Sequence, residues 1–394
     1  NLLATPYIPT THPRMSILGS CCRYSSLLGV SIVAGIIFFF ALQNGLITDF
    51  GESDPNLCTM TYMYPDYVKV PMGNFSRHGK KYGLYFYRDA QLVKSTRPTV
   101  QNLGGVPVLF IPGNAGSYRQ IRSLGTTYLR NRKTKDFWLH RIMNQRDMAR
   151  EKEYYRFRNI LEFFAIDFQE ELSAFNGDIL FDQQEFVTDC INKILSIYRD
   201  SKSIRVDRPD SVLLLGHSMG GLLARSVFSS PTYRNKTVHT IVTLSTPHVT
   251  APVMLHQRVF DFYEQVNTMW RQQGPQRHPD LSNVALVSIG GGWRDAQVPA
   301  LLSNLENAGL GLSTLTITSP PPQTNDTTNA TSSTTDDTAQ AKSVTLSQTI
   351  STVATSIPDV WISQDHVSCM WCNQLVAHEL CLFRSRRPRN RTSL

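Results

Sequence analysis

Cysteine is scarce in this sequence, with seven residues among 394, and only one pair has the C-x-x-C spacing of a metal or redox motif. That pair is Cys369 and Cys372. A structural zinc site needs a second pair of ligands at matching spacing, and the sequence has none. The pair therefore favours a structural role, for example in a disulfide involving Cys381, over zinc or redox chemistry.

A phosphate-binding signature is also missing. A glycine-rich stretch, FIPGNAGSYRQ, follows an apolar run at residues 106–111. A nucleotide-binding P-loop needs Lys-Ser or Lys-Thr after its glycines, because these side chains reach the phosphates and the magnesium ion. Neither pair follows here, which excludes a P-loop.

Charge is absent from residues 27–42, LLGVSIVAGIIFFFAL. Extended to Leu46, this stretch reaches the roughly 20 residues that cross a bilayer. It begins well inside the chain and shows no small-residue cleavage site, so we expect a retained anchor rather than a cleaved signal. The first residue is Asn1 rather than Met, and we expect the sequence to be a fragment of a longer product.

The charges that flank this stretch predict its orientation. Arg14 and Arg23 precede it and acidic residues follow it, so the positive-inside rule places the start of the chain in the cytosol. The predicted organisation is a cytosolic segment at 1–26, a transmembrane helix at 27–46 and a lumenal domain at 47–394.

Two further features fit a lumenal body. N-x-S/T triplets, the acceptors of N-glycosylation, occur at Asn74, Asn235, Asn325, Asn329 and Asn390. The cysteines that follow the anchor are Cys58, Cys190, Cys369, Cys372 and Cys381. Disulfides can form on the lumenal side of the membrane. The number of these cysteines is odd, so at least one is free or pairs elsewhere, and the pairing stays open.

Apolar runs at regular intervals predict a series of strands. These runs lie at residues 106–111, 163–168, 211–216, 239–245, 283–291 and 357–363. Apolar residues at helical spacing predict a helix over about 180–199, and an aromatic run, YGLYFYR, predicts a short strand or hairpin before residue 100. Strands separated by helices indicate an α/β fold, with a mostly parallel sheet covered by helices on both faces.

Two segments interrupt this alternation. Residues 130–158 hold ten Lys or Arg against four Asp or Glu, which favours a solvated helical insertion. The alternative is a patch that meets anionic headgroups or a phosphorylated substrate. Residues 313–356 are rich in Thr and Ser, a composition that cannot build a core and predicts a disordered insertion.

The run at 211–216 leads into Gly216-His217-Ser218-Met219-Gly220, a G-x-S-x-G motif, and then into helix-forming residues. Between a buried strand and a helix, this motif predicts a nucleophile elbow, a turn so sharp that its flanking positions require glycine. The alternative is an ordinary glycine-rich turn. We favour Ser218 as the nucleophile of a serine hydrolase.

A serine nucleophile needs a histidine base and an acid that orients it. In the α/β-hydrolase fold these follow the serine in the order acid, then histidine, in loops after the last strands. Asp295 follows the run at 283–291, and His366 follows the run at 357–363. We therefore predict Ser218, Asp295 and His366 as the catalytic triad.

Other histidines and acids fit these roles less well. His248 follows the strand after the elbow, which is too early for the base, and we interpret it as pocket lining. His217 is adjacent to Ser218 and cannot turn back onto it, and Asp365 faces away if His366 faces the serine. The remaining candidates lie in polar segments or do not follow a strand: His256, His278, Asp261 and Asp280.

The oxyanion of an acyl-transfer intermediate needs two backbone N–H donors. One normally comes from the residue after the nucleophile, here Met219, and the other from the loop after an earlier strand. The stretch FIPGNAGSYRQ is that loop, so Asn114 or Ala115 is the second candidate donor.

Six segments, taken in order, resemble the lumenal domain of the GPI inositol-deacylase family: LFIPGNAGSYRQIRSL, FFAIDFQEELSAFNG, LLLGHSMGGLLARS, TLSTPH, SIGGGWRD and VWISQDHVSCMWCNQLV. The resemblance covers roughly residues 50–390 apart from the Thr/Ser-rich insertion. Generic lipases share only the elbow and the Ser-Thr-Pro-His segment, so the combination is specific.

This resemblance implies an endoplasmic reticulum membrane hydrolase that removes the acyl chain from the inositol of GPI anchors. Its partners would be the lipid bilayer and GPI-anchored proteins with acylated inositol, whose export to the Golgi it prepares. The expected chemistry needs no metal and no cofactor, and no nucleic acid is expected as a partner. Two alternatives remain open, a lumenal lipase or acyltransferase acting on free lipids and a catalytically inactive lipid-binding module.

Overall fold

The computed structural model describes residues 29–39, 58–60, 63–90, 100, 103–130, 161–201, 208–272, 278–310, 314–318, 343–347 and 349–377. By its internal contacts the chain divides into two units, Asn1–Leu57 and Cys58–Leu394.

The first unit contains a helix over residues 29–39. Its large apolar side chains are exposed, among them Val30, Ile37 and Phe38. Within the described part of the chain, no helix has both the length and the hydropathy needed to cross a membrane. The remainder of the transmembrane helix predicted at 27–46 lies outside the described residues, so that assignment stays a prediction.

The second unit is built on an eight-stranded sheet with the order β1-β2-β4-β3-β5-β6-β7-β10. Its strands are β1 (Pro65–Val70), β2 (Gly83–Asp89), β3 (Val106–Ile111), β4 (Leu161–Asp167), β5 (Leu213–His217), β6 (Thr240–Leu244), β7 (Ala285–Gly290) and β10 (Thr349–Val353). The pairs β1–β2 and β2–β4 are antiparallel, and all pairs from β4 to β10 are parallel. The mostly parallel α/β sheet expected from the sequence is therefore confirmed.

Helices cover both faces of this sheet. They are α1 (residues 122–130), α2 (Gly177–Asp200), α3 (Met219–Ser226), α4 (Gln257–Arg271), α5 (Ala300–Ser303) and α6 (residues 373–377). One apolar cluster joins the sheet to α2, α3 and α4, and the other joins its opposite face to α1 and the segment around α6. Glycine at position 177 lets α2 approach α4, because a Cβ there would lie 2.2 Å from the backbone of Arg258.

The prediction of the last strand was wrong. Residues 357–363 form turns and irregular backbone, and the last strand among the described residues is β10 at Thr349–Val353. Pro358 has no N–H to give a sheet, and Asp359 and Trp361 have φ angles of 64° and 44°, which a strand does not allow. The residues of β10, TISTV, are mostly β-branched and suit a pleated surface.

That strand lies inside the segment predicted to be disordered at 313–356. Part of the segment also forms an antiparallel pair, β8 (Thr314–Thr318) with β9 (Ser343–Ser347). The intervening residues 319–342 are outside the described part of the chain. So is the basic segment 130–158 except for Arg130, and its proposed roles stay predictions.

A disulfide joins Cys58 to Cys372, across 314 positions of sequence. The same two segments also pair through backbone, since Met60 forms an antiparallel bridge with Cys372 and the N–H of Asn373 donates to the carbonyl of Thr59. Cys190 and Cys369 are buried thiols, and Cys381 lies outside the described residues. The C-x-x-C pair thus contributes one cysteine to a structural bond, with a partner the sequence did not indicate.

Candidate active site

Ser218 occupies the turn between β5 and α3. Its φ and ψ angles are 55° and −129°, a conformation that residues with a side chain rarely adopt. The N–H of Ser218 donates to the carbonyl of Leu244 at the end of the neighbouring strand β6. The sharp turn predicted for the G-x-S-x-G motif is therefore present, with local strain at the serine itself.

Glycines make this turn possible. A Cβ at Gly216 would lie 2.4 Å from the Cα of Gly221, and a Cβ at Gly220 would lie 2.1 Å from the carbonyl oxygen of Ile111. Only glycine fits at such distances, so the two motif glycines let α3 begin directly against the ends of β3 and β5.

The structure brings Asp295 and His366 together. The Nδ1 atom of His366 lies 3.1 Å from each carboxylate oxygen of Asp295. Because a carboxylate accepts, Nδ1 carries the proton and donates it, which leaves Nε2 as the basic nitrogen. Asp295 is 2% exposed, and its Oδ1 also accepts from the backbone N–H groups of Gln297 and Val298, which fix the orientation of the carboxylate.

The loops that carry the acid and the base are bonded to each other. The N–H of Gln364 donates to the carbonyl of Gly291 at 2.7 Å, and the N–H of Arg294 donates to the hydroxyl of Ser363 at 2.9 Å. These bonds place the loop after β7 beside the loop that precedes His366. The contact between Asp295 and His366 is therefore part of a wider junction between two segments.

His366 also lies beside the residue that precedes the nucleophile. The ring centroids of His217 and His366 are 4.9 Å apart, and Nε2 of His217 is 2.7 Å from the backbone oxygen of His366. The sequence analysis set His217 aside as the base and did not predict this contact. Nothing in the sequence indicates it, because it depends on two segments 149 positions apart.

The alternative acid at position 365 has another role. Oδ1 of Asp365 accepts from the N–H groups of Val367 and Ser368 at 2.9 and 2.8 Å, and the residue is exposed. It thus closes the turn that follows His366. The carboxylate of Asp280 also has other partners, because it accepts from the hydroxyl of Tyr233 and the N–H of Lys236.

His248, interpreted from the sequence as pocket lining, belongs instead to the core. It is fully buried, with Nδ1 3.2 Å from Arg225 and Nε2 2.9 Å from the hydroxyl of Thr243. Burial, with the nearby Arg225 charge, lowers its pKa well below the usual value for histidine. A neutral ring held between these partners has no access to a substrate.

The loop after β3 passes directly against the nucleophile. A Cβ at Gly113 would lie 2.5 Å from the Cβ of Ser218 and 3.1 Å from its Oγ. The side-chain oxygen of Asn114 accepts from the N–H of Ala174, and the N–H of Ala115 donates to the carbonyl of Glu171, both at 2.9 Å. The loop after β4 therefore holds the candidate oxyanion loop in place. Its Glu171 carbonyl accepts the hydrogen bond that the Ala115 amide donates.

Large apolar side chains are exposed in segments that follow β4, β6 and β7 and in the segment around His366. They are Leu172, Phe175, Val253, Met254, Leu255, Trp293, Trp361 and Val367. Because the carboxyl ends of parallel strands meet at one edge of a sheet, these segments share the edge that carries Ser218. Such a concentration of exposed apolar residues suits a hydrophobic ligand.

Together these residues offer a candidate nucleophile, a candidate base bonded to a candidate acid, and candidate oxyanion donors, the parts required for acyl transfer. Among the described residues, no group of three or more His, Cys, Asp or Glu side chains is arranged to hold a metal ion.

Comparison with known proteins agrees with the sequence resemblance. A family described as "PGAP1-like alpha/beta domain" matches residues 102–382. The GPI inositol-deacylases of Aspergillus fumigatus and Chaetomium globosum are 35% and 33% identical to this chain over 87% and 88% of its length. The chain spans only 26% of the length of each of these two relatives.

Among solved structures, esterase B from Lactobacillus rhamnosis, inhibited by a tributyrin phosphonate, aligns with 90% of this chain and 95% of its own, at 14% identity and a TM-score of 0.36. That likeness is too distant to bear on function. The family match covers most of the chain, and it agrees with the motifs quoted from the sequence and with the sheet that carries them. The chain therefore belongs to the family of PGAP1-like alpha/beta domains.

Proposed function

We propose that this chain is the catalytic domain of a GPI inositol-deacylase, a serine hydrolase that removes the acyl chain from the inositol of GPI anchors. The observation that supports the proposal is the Asp295–His366 pair, which contacts His217, the residue before the strained Ser218, in a chain whose relatives bear that name. Since the chain spans about a quarter of those relatives, the activity of the whole protein is part of the proposal.

Deacylation begins when Oγ of Ser218 attacks the acyl carbonyl and its proton passes to Nε2 of His366. Asp295 holds the ring and stabilises the imidazolium that forms. The tetrahedral intermediate collapses as His366 returns the proton to the inositol oxygen, which leaves as a free hydroxyl. Water, deprotonated by His366, then hydrolyses the acyl-serine and releases the fatty acid.

The oxyanion donors are the amides of Met219 and Asn114. Met219 is the first residue of α3, and the first N–H groups of a helix have no partner within it. Asn114 is favoured over Ala115 because the Ala115 amide already donates to Glu171. The bond from Ala174 to the Asn114 side chain supports this assignment, since it fixes the residue whose amide is used.

The substrates are GPI-anchored proteins with acylated inositol, and the reaction prepares them for transport from the endoplasmic reticulum to the Golgi. We place the domain on the lumenal side of the endoplasmic reticulum membrane, next to the bilayer. The exposed apolar residues along the Ser218 edge support contact with lipid, and the Cys58–Cys372 disulfide supports an oxidising compartment.

The test uses cells in which the full-length protein carries Ser218→Ala. Their GPI anchors should resist phosphatidylinositol-specific phospholipase C, because an acyl group on inositol blocks the cyclisation that this enzyme needs. Anchors that stay sensitive would overturn the proposal.

Two biochemical assays separate the alternatives. A fluorophosphonate probe should label the wild-type protein and not Ser218→Ala; absence of labelling would indicate an inactive lipid-binding module. The wild-type protein should release fatty acid from acylated GPI in preference to triacylglycerol, and the opposite preference would indicate a lipase.

A further inference from the structure

The residue before the nucleophile makes a second connection within the site. His217 ends β5, where its backbone pairs with Leu244, and the residue is 3% exposed. Its Nε2 atom lies 2.7 Å from the backbone oxygen of His366. A carbonyl oxygen only accepts, so Nε2 of His217 carries the proton and donates it.

The accepting carbonyl belongs to the base itself. It also receives the Cys369 thiol at 3.2 Å, a weaker donor on the same oxygen. At its other end, His366 is held by Asp295 through Nδ1. The base is therefore fixed at two points, by Asp295 at the ring and by His217 at the backbone.

His217 is suited to this task because it stays neutral. Burial, together with the proximity of His366, lowers its pKa to about 4. Its Nδ1 is buried and has no hydrogen-bond partner among the described residues, so Nε2 is the nitrogen that the structure uses. When His366 becomes an imidazolium during the reaction, the neighbouring ring adds no second charge.

The backbone of His217 is also bonded directly to the proposed nucleophile. Ser218 follows it directly, so one residue connects the serine through its main chain and the base through its side chain. A movement of β5 relative to the loop of His366 would have to break the 2.7 Å bond. That bond therefore links the segment that carries Ser218 to the segment that carries His366.

We propose that His217 is a positioning residue, which holds His366 in register with Ser218 by donating Nε2–H to the His366 carbonyl. The proposal rests on the serine-hydrolase function proposed above. Reaction rates fall steeply when catalytic groups are displaced by about 1 Å, so loss of the bond should reduce turnover rather than substrate binding.

The test compares His217→Gln with His217→Met in the full-length protein. The glutamine amide can place an N–H near the position of Nε2, whereas methionine has similar length and no donor. His217→Asn is a second donor-deficient variant, because its amide is too short to reach the carbonyl. Readouts are the rate of fluorophosphonate labelling at Ser218, kcat and KM on acylated GPI, and the melting temperature.

We expect His217→Met and His217→Asn to lower the labelling rate and kcat roughly 10- to 100-fold with little change in KM, and His217→Gln to stay within about threefold of wild type. Cys369→Ala, which removes only the weaker donor, should also stay within about threefold. Equal rates in the Gln, Met and Asn variants would overturn the proposal, as would a loss explained by unfolding at the assay temperature.

The labelling rate tests the role of His217 independently of the proposed GPI substrate. If the wild-type protein labels at Ser218 but does not deacylate GPI, the substrate assignment is wrong. The labelling rates of the His217 variants then still test the role of His217. A wild-type protein that does not label contradicts both.

Discussion

Nδ1 of His366 lies 3.1 Å from both carboxylate oxygens of Asp295, although 71 positions of sequence separate the two residues. The carboxylate is also fixed by the backbone N–H of Val298, at 2.8 Å. The acid therefore has a set orientation that does not depend on substrate. The pair is preorganised, and its contribution to catalysis can be tested by single substitutions.

Asp295→Asn should leave the protein folded and reduce turnover by roughly three to four orders of magnitude. The amide can keep a hydrogen bond to the ring, but it favours the wrong tautomer and does not stabilise the imidazolium. The measurement is kcat on acylated GPI, with the melting temperature as a check on folding.

Asp365→Asn is the matched control, because it changes the neighbouring carboxylate, which accepts from Val367 and Ser368. Its turnover should stay within about tenfold of wild type, since an asparagine can accept the same two bonds. Near-normal turnover in Asp295→Asn, or a larger loss in Asp365→Asn, would show that the acid was misassigned.

Gly113→Ala should slow the reaction of Ser218 with a fluorophosphonate. The new Cβ would meet the Cβ of Ser218 at 2.5 Å and the carbonyl oxygen of His217 at 2.9 Å, so either the oxyanion loop or the serine must move. A displacement of about 1 Å predicts a loss of roughly 100-fold in the rate of fluorophosphonate labelling. Gly35→Ala is the control, since a Cβ there meets nothing within 4 Å. Equal labelling of the two variants would contradict this account of the loop.

The free energy of unfolding should fall below neutral pH, in part because of His217. Its pKa is about 4 in the folded protein and 6.5 as the ordinary value, so between these pH values the unfolded chain binds more protons. Stability therefore decreases as pH falls from about 6.5 towards 4. The contribution of this one histidine between pH 7 and 5 is about 2 kcal/mol.

Urea unfolding of wild type and His217→Gln at pH 7 and pH 5 measures this contribution. The variant should lose less stability than wild type over that interval, because it has no histidine to protonate on unfolding. His239→Gln, at an exposed position, is the control for the loss of a histidine as such. A pH dependence unchanged in His217→Gln would be incompatible with a neutral, buried ring.

The segment between β8 and β9 should be replaceable. Thr318 and Ser343 are directly paired in the antiparallel ladder, so a short Gly/Ser linker can join them in place of residues 319–342. Loop-closure entropy changes slowly with length, so the free energy of unfolding should change by about 1 kcal/mol or less. The measurements are chemical unfolding and deacylation activity; a folded but inactive protein would show that the segment contacts substrate.

Local signals in the sequence were sufficient to predict the sharp turn at Ser218. The G-x-S-x-G motif specifies its own turn, and β3 was predicted at its observed bounds, Val106–Ile111, because its apolar run is continuous. The last strand was misplaced because an apolar run at 357–363 outweighed the Pro358 within it.

Long-range contacts could not be predicted in this way. The bond from His217 to His366 and the pairing of Cys58 with Cys372 join segments 149 and 314 positions apart. Periodicity reports only which face of a strand or helix is buried. It does not report which segments meet at the edge of the sheet.

The disulfide between Cys58 and Cys372 closes the second unit into a covalent ring over nearly its whole described length. Ser218, Asp295 and His366 all lie within that ring. A protease that cuts the chain once between the two cysteines produces two fragments on a reducing gel, yet the nicked protein remains one molecule. Such cleavage leaves every proposed catalytic group in one covalently connected molecule.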